Sequence, residues 1–161
     1  MNTIDKLRTS YKPPVDYIEK LSYTVDIKQI LSEIEVLKSL DWHDSFMQLK
    51  FSLKFKFVWH EIINSMPYTK TVLDMLHEVM PYNSVYYRYV KPNTCYNWHV
   101  DKMATCLHIP LITNAGCKFV YEDKVFSMPS DGSVYIVNNS IPHTFVNAGK
   151  EPRLHITMDI F

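Results

Sequence analysis

Glycine is scarce: the 161-residue chain has three, Gly116, Gly132 and Gly149. No glycine-rich phosphate loop and no GxSxG nucleophile elbow can be built from them, which removes nucleotide phosphate chemistry and serine hydrolysis of that type. Each sits in a turn-like context (TNAG, PSDG, NAGK), where a tight reversal or positive φ is wanted. Cysteine is equally rare, at Cys95, Cys106 and Cys117. An odd number without a CxxC pair argues against a disulfide framework or zinc ribbon, and the expected compartment is a reducing cytoplasm. Charge of one sign is missing too, because 17 basic and 17 acidic side chains cancel. No global field draws in nucleic acid or a membrane surface, no local patch replaces it, and neither is expected as a partner. The opening MNTIDKLRTS holds no secretion-signal core, and no apolar run approaches membrane-spanning length. There is no repeat, low-complexity tract or Gly/Ser linker. The expectation is one domain over 1–161, with an N-terminal part (1–80) packing on a core (81–161). Oligomeric state is not legible.

What is present is pattern. Residues 1–20, with Pro13 and Pro14, show no period and read as an arm on the domain. From Asp26 the pattern is helical, with Ile27, Ile30, Leu31, Ile34, Leu37 and Leu40 on one face and Asp26/Gln29 spaced as a capping pair. Residues 46–59 alternate: Met47, Leu49, Phe51, Leu53, Phe55, Phe57 and Trp59 point one way, with a lysine-rich face opposite. That is a half-buried strand whose lysines read as a binding stripe or, more plainly, as protection of an exposed sheet. A second helix is expected near 69–80, with Val72, Leu73, Leu76, Val79 and Met80 on its stripe and Pro81 as its stop. Beyond it the chain reads as short strands at 83–90, 94–101, 104–112, 117–121, 124–128, 132–138, 141–147 and 152–160. Strands so spaced suggest a mainly β, double-sheet or closed architecture with flanking helices, the jelly roll included.

The chemistry concentrates in Trp98-His99-Val100-Asp101. In a strand, side chains two apart share a face, so His99 and Asp101 can reach one metal. His143, in Ile141-Pro142-His143-Thr144, can supply the third ligand. Two histidines and one carboxylate leave three positions of an octahedral ion open, the facial arrangement of non-haem Fe(II) oxygenases; zinc also accepts these ligands. Alone, the triplet is weak, and an exposed His–Asp pair plus a core histidine is the plainer alternative. Arg153 adds to it. The alternation of RLHITMD puts Arg153, His155, Thr157 and Asp159 on one face, where a guanidinium can bind a carboxylate through two parallel hydrogen bonds. The competing assignment is a structural ion pair with Asp159 or Glu151. His43, His60 and His77 read as surface or core histidines. Tyr96, Asn97 and Trp98 suit a substrate rim or ordinary packing.

Residues 88–161, through RYVKPNTCYNWHVD, CLHIPLITNAGCKFVYED and GSVYIVNNSIPHTFVNAGKEPRLHITMD, resemble the aspartyl/asparaginyl β-hydroxylase-like branch of the 2-oxoglutarate oxygenases. The resemblance implies a double-stranded β-helix (cupin-like jelly roll), with iron on His99, Asp101 and His143 and 2-oxoglutarate held by Arg153. It implies a pocket role for His108, which otherwise reads as a buried strand histidine. Arg88 matches a frequent arginine of the family, whereas Cys106 stands where many relatives have another. The implied reaction is hydroxylation of an aliphatic carbon, using Fe(II), 2-oxoglutarate and O2, on a small molecule, peptide or protein. A metal-binding cupin enzyme independent of 2-oxoglutarate and a non-catalytic jelly-roll binding protein remain the alternatives.

Overall fold

The computed structural model describes residues 14–35, 48–52 and 63–160. Ten strands and two helices are defined among them: β1 (Ile18–Thr24), α1 (Ile27–Glu33), β2 (Gln48–Ser52), α2 (Pro67–Val79), β3 (Tyr82–Val90), β4 (Thr94–Cys95), β5 (Thr105–Ile112), β6 (Cys117–Tyr121), β7 (Val125–Phe126), β8 (Ser133–Asn138), β9 (His143–Asn147) and β10 (Arg153–Ile160). They form two antiparallel sheets, ordered β1-β8-β5-β10-β3-β2 and β4-β9-β6-β7. This is the jelly-roll double-stranded β-helix with helices against its larger sheet.

Strand alternation decides which residues face which core. Leu107, Ile109, Leu111, Val134, Ile136, Leu154, Ile156 and Met158 leave the barrel and meet Ile30, Val72, Leu73 and Leu76 of the helices. Burying each such side chain contributes about 1.5–3 kcal/mol, so this layer holds the helices down. The opposite faces enclose a second cluster of Val90, Phe119, Tyr121, Tyr135, Val137 and Phe145 between the sheets. Into that interior also point the polar residues of β5 and β10, and they make the site.

The helix termini are satisfied locally. Asp26 caps α1 by accepting from the Gln29 backbone N–H at 3.1 Å. Pro67 opens α2, which has no side-chain cap of its own. Glu33 of α1 caps it instead, accepting from the backbone N–H of Tyr68 and Thr69 at 2.8 Å each and from the Thr69 hydroxyl at 2.7 Å. A carboxylate there satisfies unpaired donors and suits the positive end of the helix dipole.

Three expectations need correction. The N-terminal stretch is not all arm, because β1 adds an edge to the larger sheet, pairing Ile18 with Val137 and Lys20 with Tyr135. Its register shifts between Lys20 and Thr24, which breaks the alternation that would have revealed a strand. The strand expected over 94–101 ends at Cys95, and His99 is joined to the fold by a single bridge with His143. Val79, placed on the buried stripe of α2, is 55% exposed at the helix end. The remainder of the strand expected at 46–59, the helix extension to Leu37 and Leu40, and His43 and His60 lie outside the described residues.

Candidate active site

His99 and His143 exchange both backbone hydrogen bonds, each N–H donating to the other's carbonyl at 3.0 Å. That bridge brings their side chains to one side, with ring centroids 4.4 Å apart. The Asp101 N–H donates to the Asn139 carbonyl at 3.1 Å, which ties the second half of the motif to the end of β8. His99 and Asp101 thus share a side, as expected, although the segment is extended chain held at alternate residues and not a strand. One ligand atom from each of His99, Asp101 and His143 falls within 4.8 Å of the others.

Each ligand candidate is oriented from behind. His99 Nδ1 lies 2.7 Å from the Asn97 carbonyl and His143 Nδ1 lies 2.9 Å from the Ile141 carbonyl. A carbonyl can only accept, so both Nδ1 atoms carry the proton and both Nε2 lone pairs are free for a cation. Those Nε2 atoms lie 3.6 Å and 4.0 Å from the Asp101 carboxylate oxygens. Asn139 Nδ2 donates to Asp101 Oδ2 at 2.9 Å and so fixes the carboxylate plane. The Phe119 ring stacks on His143 with centroids 5.0 Å apart. Two imidazole nitrogens, one carboxylate and their supporting partners form a donor set fit for a divalent metal with open positions.

A pocket of about 490 Å³, its open mouth included, runs from these three residues along Val90, Tyr96, Phe119 and Phe145 to His108 and Arg153. Arg88 and Cys106 line it as well. Arg153 lies deep, 3% exposed, with its guanidinium over the Phe145 ring at 4.0 Å. Its Nη2 donates to His155 Nδ1 at 2.6 Å and approaches His108 Nδ1 at 3.4 Å, while its Nε has no partner. The alternative ion pair with Asp159 or Glu151 is not formed. Asp159 lies 4.0 Å from Arg88 Nη2, and the Glu151 backbone carbonyl accepts from Asn114 and Asn147. Among the described residues no carboxylate reaches Arg153, and burial pulls its guanidinium down to about 9.

His108 is 5% exposed and faces this pocket, so its ring is both a buried strand histidine and a pocket wall. Burial first, and then the Arg153 charge, push it well below the usual histidine range. Arg88 donates from Nε to Thr157 Oγ1 at 2.8 Å. Cys106 is buried beside Asp159, its Sγ 3.8 Å from Oδ1. His77 belongs elsewhere, ring to ring with Tyr82 at 4.6 Å at the end of α2. Trp98, a candidate for the substrate rim, is 55% exposed and is not among the residues that line the pocket.

The sequence profile of the family described as Aspartyl/Asparaginyl beta-hydroxylase matches residues 25–161. The chain belongs to that family. An L-proline cis-4-hydroxylase of Rhizobium meliloti (strain 1021) is 36% identical over 75 residues, covering 44% of this chain and 26% of that enzyme. The chain therefore matches about a quarter of that relative's length. A prolyl hydroxylase from Trichoplax adhaerens, solved with a peptide of a hypoxia-inducible-factor oxygen degradation domain, superposes with a TM-score of 0.62 at 12% identity, covering 91% of this chain and 84% of that one. The viral collagen prolyl hydroxylase of Paramecium bursaria Chlorella virus-1, solved with 2-oxoglutarate, gives a TM-score of 0.58 at 14% identity, covering 89% and 94%. At such identities these two structures establish the shared jelly-roll fold.

Three residues of this family member's site escaped the sequence reading. Asn139 orients Asp101, and its only signal is a second asparagine ahead of the Pro-His pair. Asn147 is fully buried and donates to the Lys91 and Glu151 carbonyls at 3.2 and 3.0 Å, tying loops beside Arg153. His155 falls on the expected face of β10, but strand alternation alone assigns its ring no task.

Proposed function

We propose that this chain is an Fe(II)- and 2-oxoglutarate-dependent hydroxylase acting on an aliphatic carbon of an amino acid, free or within a peptide. The observation that carries the proposal is the two-ended pocket. At its open end three ligand atoms converge, and at its deep end a buried guanidinium has no anionic partner among the described residues. A metal and a dicarboxylate would complete both ends together. His99, Asp101 and His143 would hold the iron, and Arg153 the far carboxylate of 2-oxoglutarate, with His108 lining the wall between. Iron in such a site supplies O2 activation coupled to oxidative loss of CO2 from the co-substrate. Phe119, Phe145 and Val90 keep that space poor in water, so the guanidinium acts at low dielectric. The substrate class rests on family membership and on the proline hydroxylases among the similar proteins. Three unpaired thiols and a ferrous centre suit a reducing cytoplasm; no described helix is long and apolar enough to cross a membrane.

The test supplies Fe(II), 2-oxoglutarate and O2 with a panel of amino acids and proline-containing peptides. Succinate formation and a product heavier by one oxygen atom are expected to rise together for at least one substrate. If the metal-loaded protein does not bind 2-oxoglutarate at millimolar concentration, the proposal falls and a 2-oxoglutarate-independent cupin enzyme takes its place.

A further inference from the structure

An arginine that binds a ligand is commonly oriented by a protein carboxylate, which also cancels its charge. Arg153 is oriented differently. Its Nη2 donates to His155 Nδ1 at 2.6 Å, and His108 Nδ1 lies 3.4 Å from the same nitrogen. For Nδ1 to accept at that distance, His155 must be neutral with its proton on Nε2. An imidazolium there would point its own N–H at the guanidinium and add a second positive charge. That tautomer leaves the Nε2–H buried with no hydrogen-bond partner among the described residues. His155 is 1% exposed, and the small cleft it shares with Arg153 is lined by Thr113, Cys117, Phe119, Met128 and Phe145. No acid is among them. His108 meets the ring edge-on at 5.6 Å, with its Nδ1 3.3 Å from His155 Nδ1 and 3.4 Å from Arg153 Nη2. Burial, and then the Arg153 charge, hold His155 well below the ordinary histidine range.

We infer that His155 is a positioning residue for co-substrate binding: as a neutral acceptor it fixes the Arg153 guanidinium without neutralising it, leaving the full positive charge for an incoming carboxylate. The inference rests on the 2-oxoglutarate proposal above and deepens it. A glutamate at this place would orient Arg153 at least as firmly, yet it would occupy the guanidinium as an internal rival of the ligand. A leucine would leave the charge free but the fork unfixed. Glutamine keeps a neutral oxygen acceptor of similar reach. Position and charge are therefore separable by mutation, and a merely structural histidine would not separate them.

The experiment titrates 2-oxoglutarate anaerobically into Mn(II)-loaded parent, His155→Gln, His155→Leu and His155→Glu, with Mn(II) affinity checking that each site is intact. His155→Gln is expected to stay within about fivefold of the parent. His155→Leu is expected to bind about ten- to a hundredfold more weakly, the worth of one charged hydrogen bond. His155→Glu should lose measurable binding although it folds and holds the metal. In turnover, these losses should appear in KM for 2-oxoglutarate and spare kcat at saturation. Equal affinity in parent and His155→Leu, or in His155→Gln and His155→Glu, overturns the inference; if the leucine variant fails to fold, the Gln/Glu pair still decides. A second arm follows the guanidinium NMR signals of Arg153, assigned with Arg153→Gln. Slowed Nη2 rotation should be present in the parent, kept in His155→Gln and lost in His155→Leu. A parent that binds no 2-oxoglutarate removes the co-substrate proposal, whereas freely rotating Nη2 in the parent removes the role of His155.

Discussion

Replacing Arg153 with glutamine tests the deep end of the pocket quantitatively. Arg153 is 3% exposed, its guanidinium meets imidazole nitrogens rather than a carboxylate, and burial lowers it from the ordinary arginine value to about 9. At 1.36 kcal/mol per pKa unit, a shift of that order amounts to about 5 kcal/mol, the net of hydration lost on burial and the part that the Phe145 ring and nearby polar groups return. A carboxylate arriving beside it recovers part of this sum, and truncating one partner of a buried charge pair typically costs about 2–5 kcal/mol. Arg153→Gln is therefore expected to weaken 2-oxoglutarate by roughly thirtyfold to several thousandfold. Arg153→Lys should fall between, since an ammonium lacks the planar fork. Metal affinity should barely change, because Arg153 is not among the converging ligand atoms. Anaerobic calorimetry with Mn(II)-loaded protein reads both quantities. If parent and Arg153→Gln bind the co-substrate alike, the reasoning is wrong at this residue. The anchor would then lie on Arg88, whose 4.0 Å contact with Asp159 leaves it the next guanidinium of the pocket.

Other outcomes follow from the same geometry. His99→Ala and His143→Ala should each weaken Fe(II) or Mn(II) binding sharply, with Asp101→Ala retaining some affinity but losing turnover; parent-like metal affinity in both histidine variants would remove the ligand assignment. Asn139→Ala frees the Asp101 carboxylate from its 2.9 Å hydrogen bond and should cost about 10- to 100-fold in metal affinity or activity, checked by metal titration and succinate yield. Acid should destabilise the metal-free fold through His108 and His155. Both are held well below 6.5 when folded, so the unfolded chain binds more protons below that pH and stability falls as pH drops, by up to about 1.4 kcal/mol per histidine per pH unit. Thermal melts at stepped pH values should show that slope lessened in His155→Gln, and an unchanged slope would contradict the neutral state assigned to His155.

How much of this was legible beforehand depends on how far each feature reaches along the chain. From β3 to β10 the strand positions follow period-two patterning and turn residues, both local, and they agree with the expected strands to within a few residues. The exceptions are the two places where a distant partner overrides the local pattern. β1 exists because β8 offers it an open edge, and its shifted register hides the alternation. The segment after Cys95 leaves the strand because the Asn97 carbonyl turns to His99 Nδ1 and the backbone pairs instead with His143 and Asn139. Neither partner is near in sequence.

The site divides along the same line. His99, Asp101, His143 and Arg153 could be singled out because metal-ligand and carboxylate chemistry restricts which residue types serve and the strand period fixes their faces. Which group opposes Arg153 could not be read, since Glu151 is as close in sequence as His155 and Asp159 shares its strand face. The structure decides by competition. Asp159 goes to Arg88, and the Glu151 backbone carbonyl goes to Asn114 and Asn147, so the nearest acceptor left among the described residues is an imidazole two residues along the strand. That allocation leaves one guanidinium buried with its charge uncancelled, and the cost of keeping it so is the reason to expect an anion in the pocket.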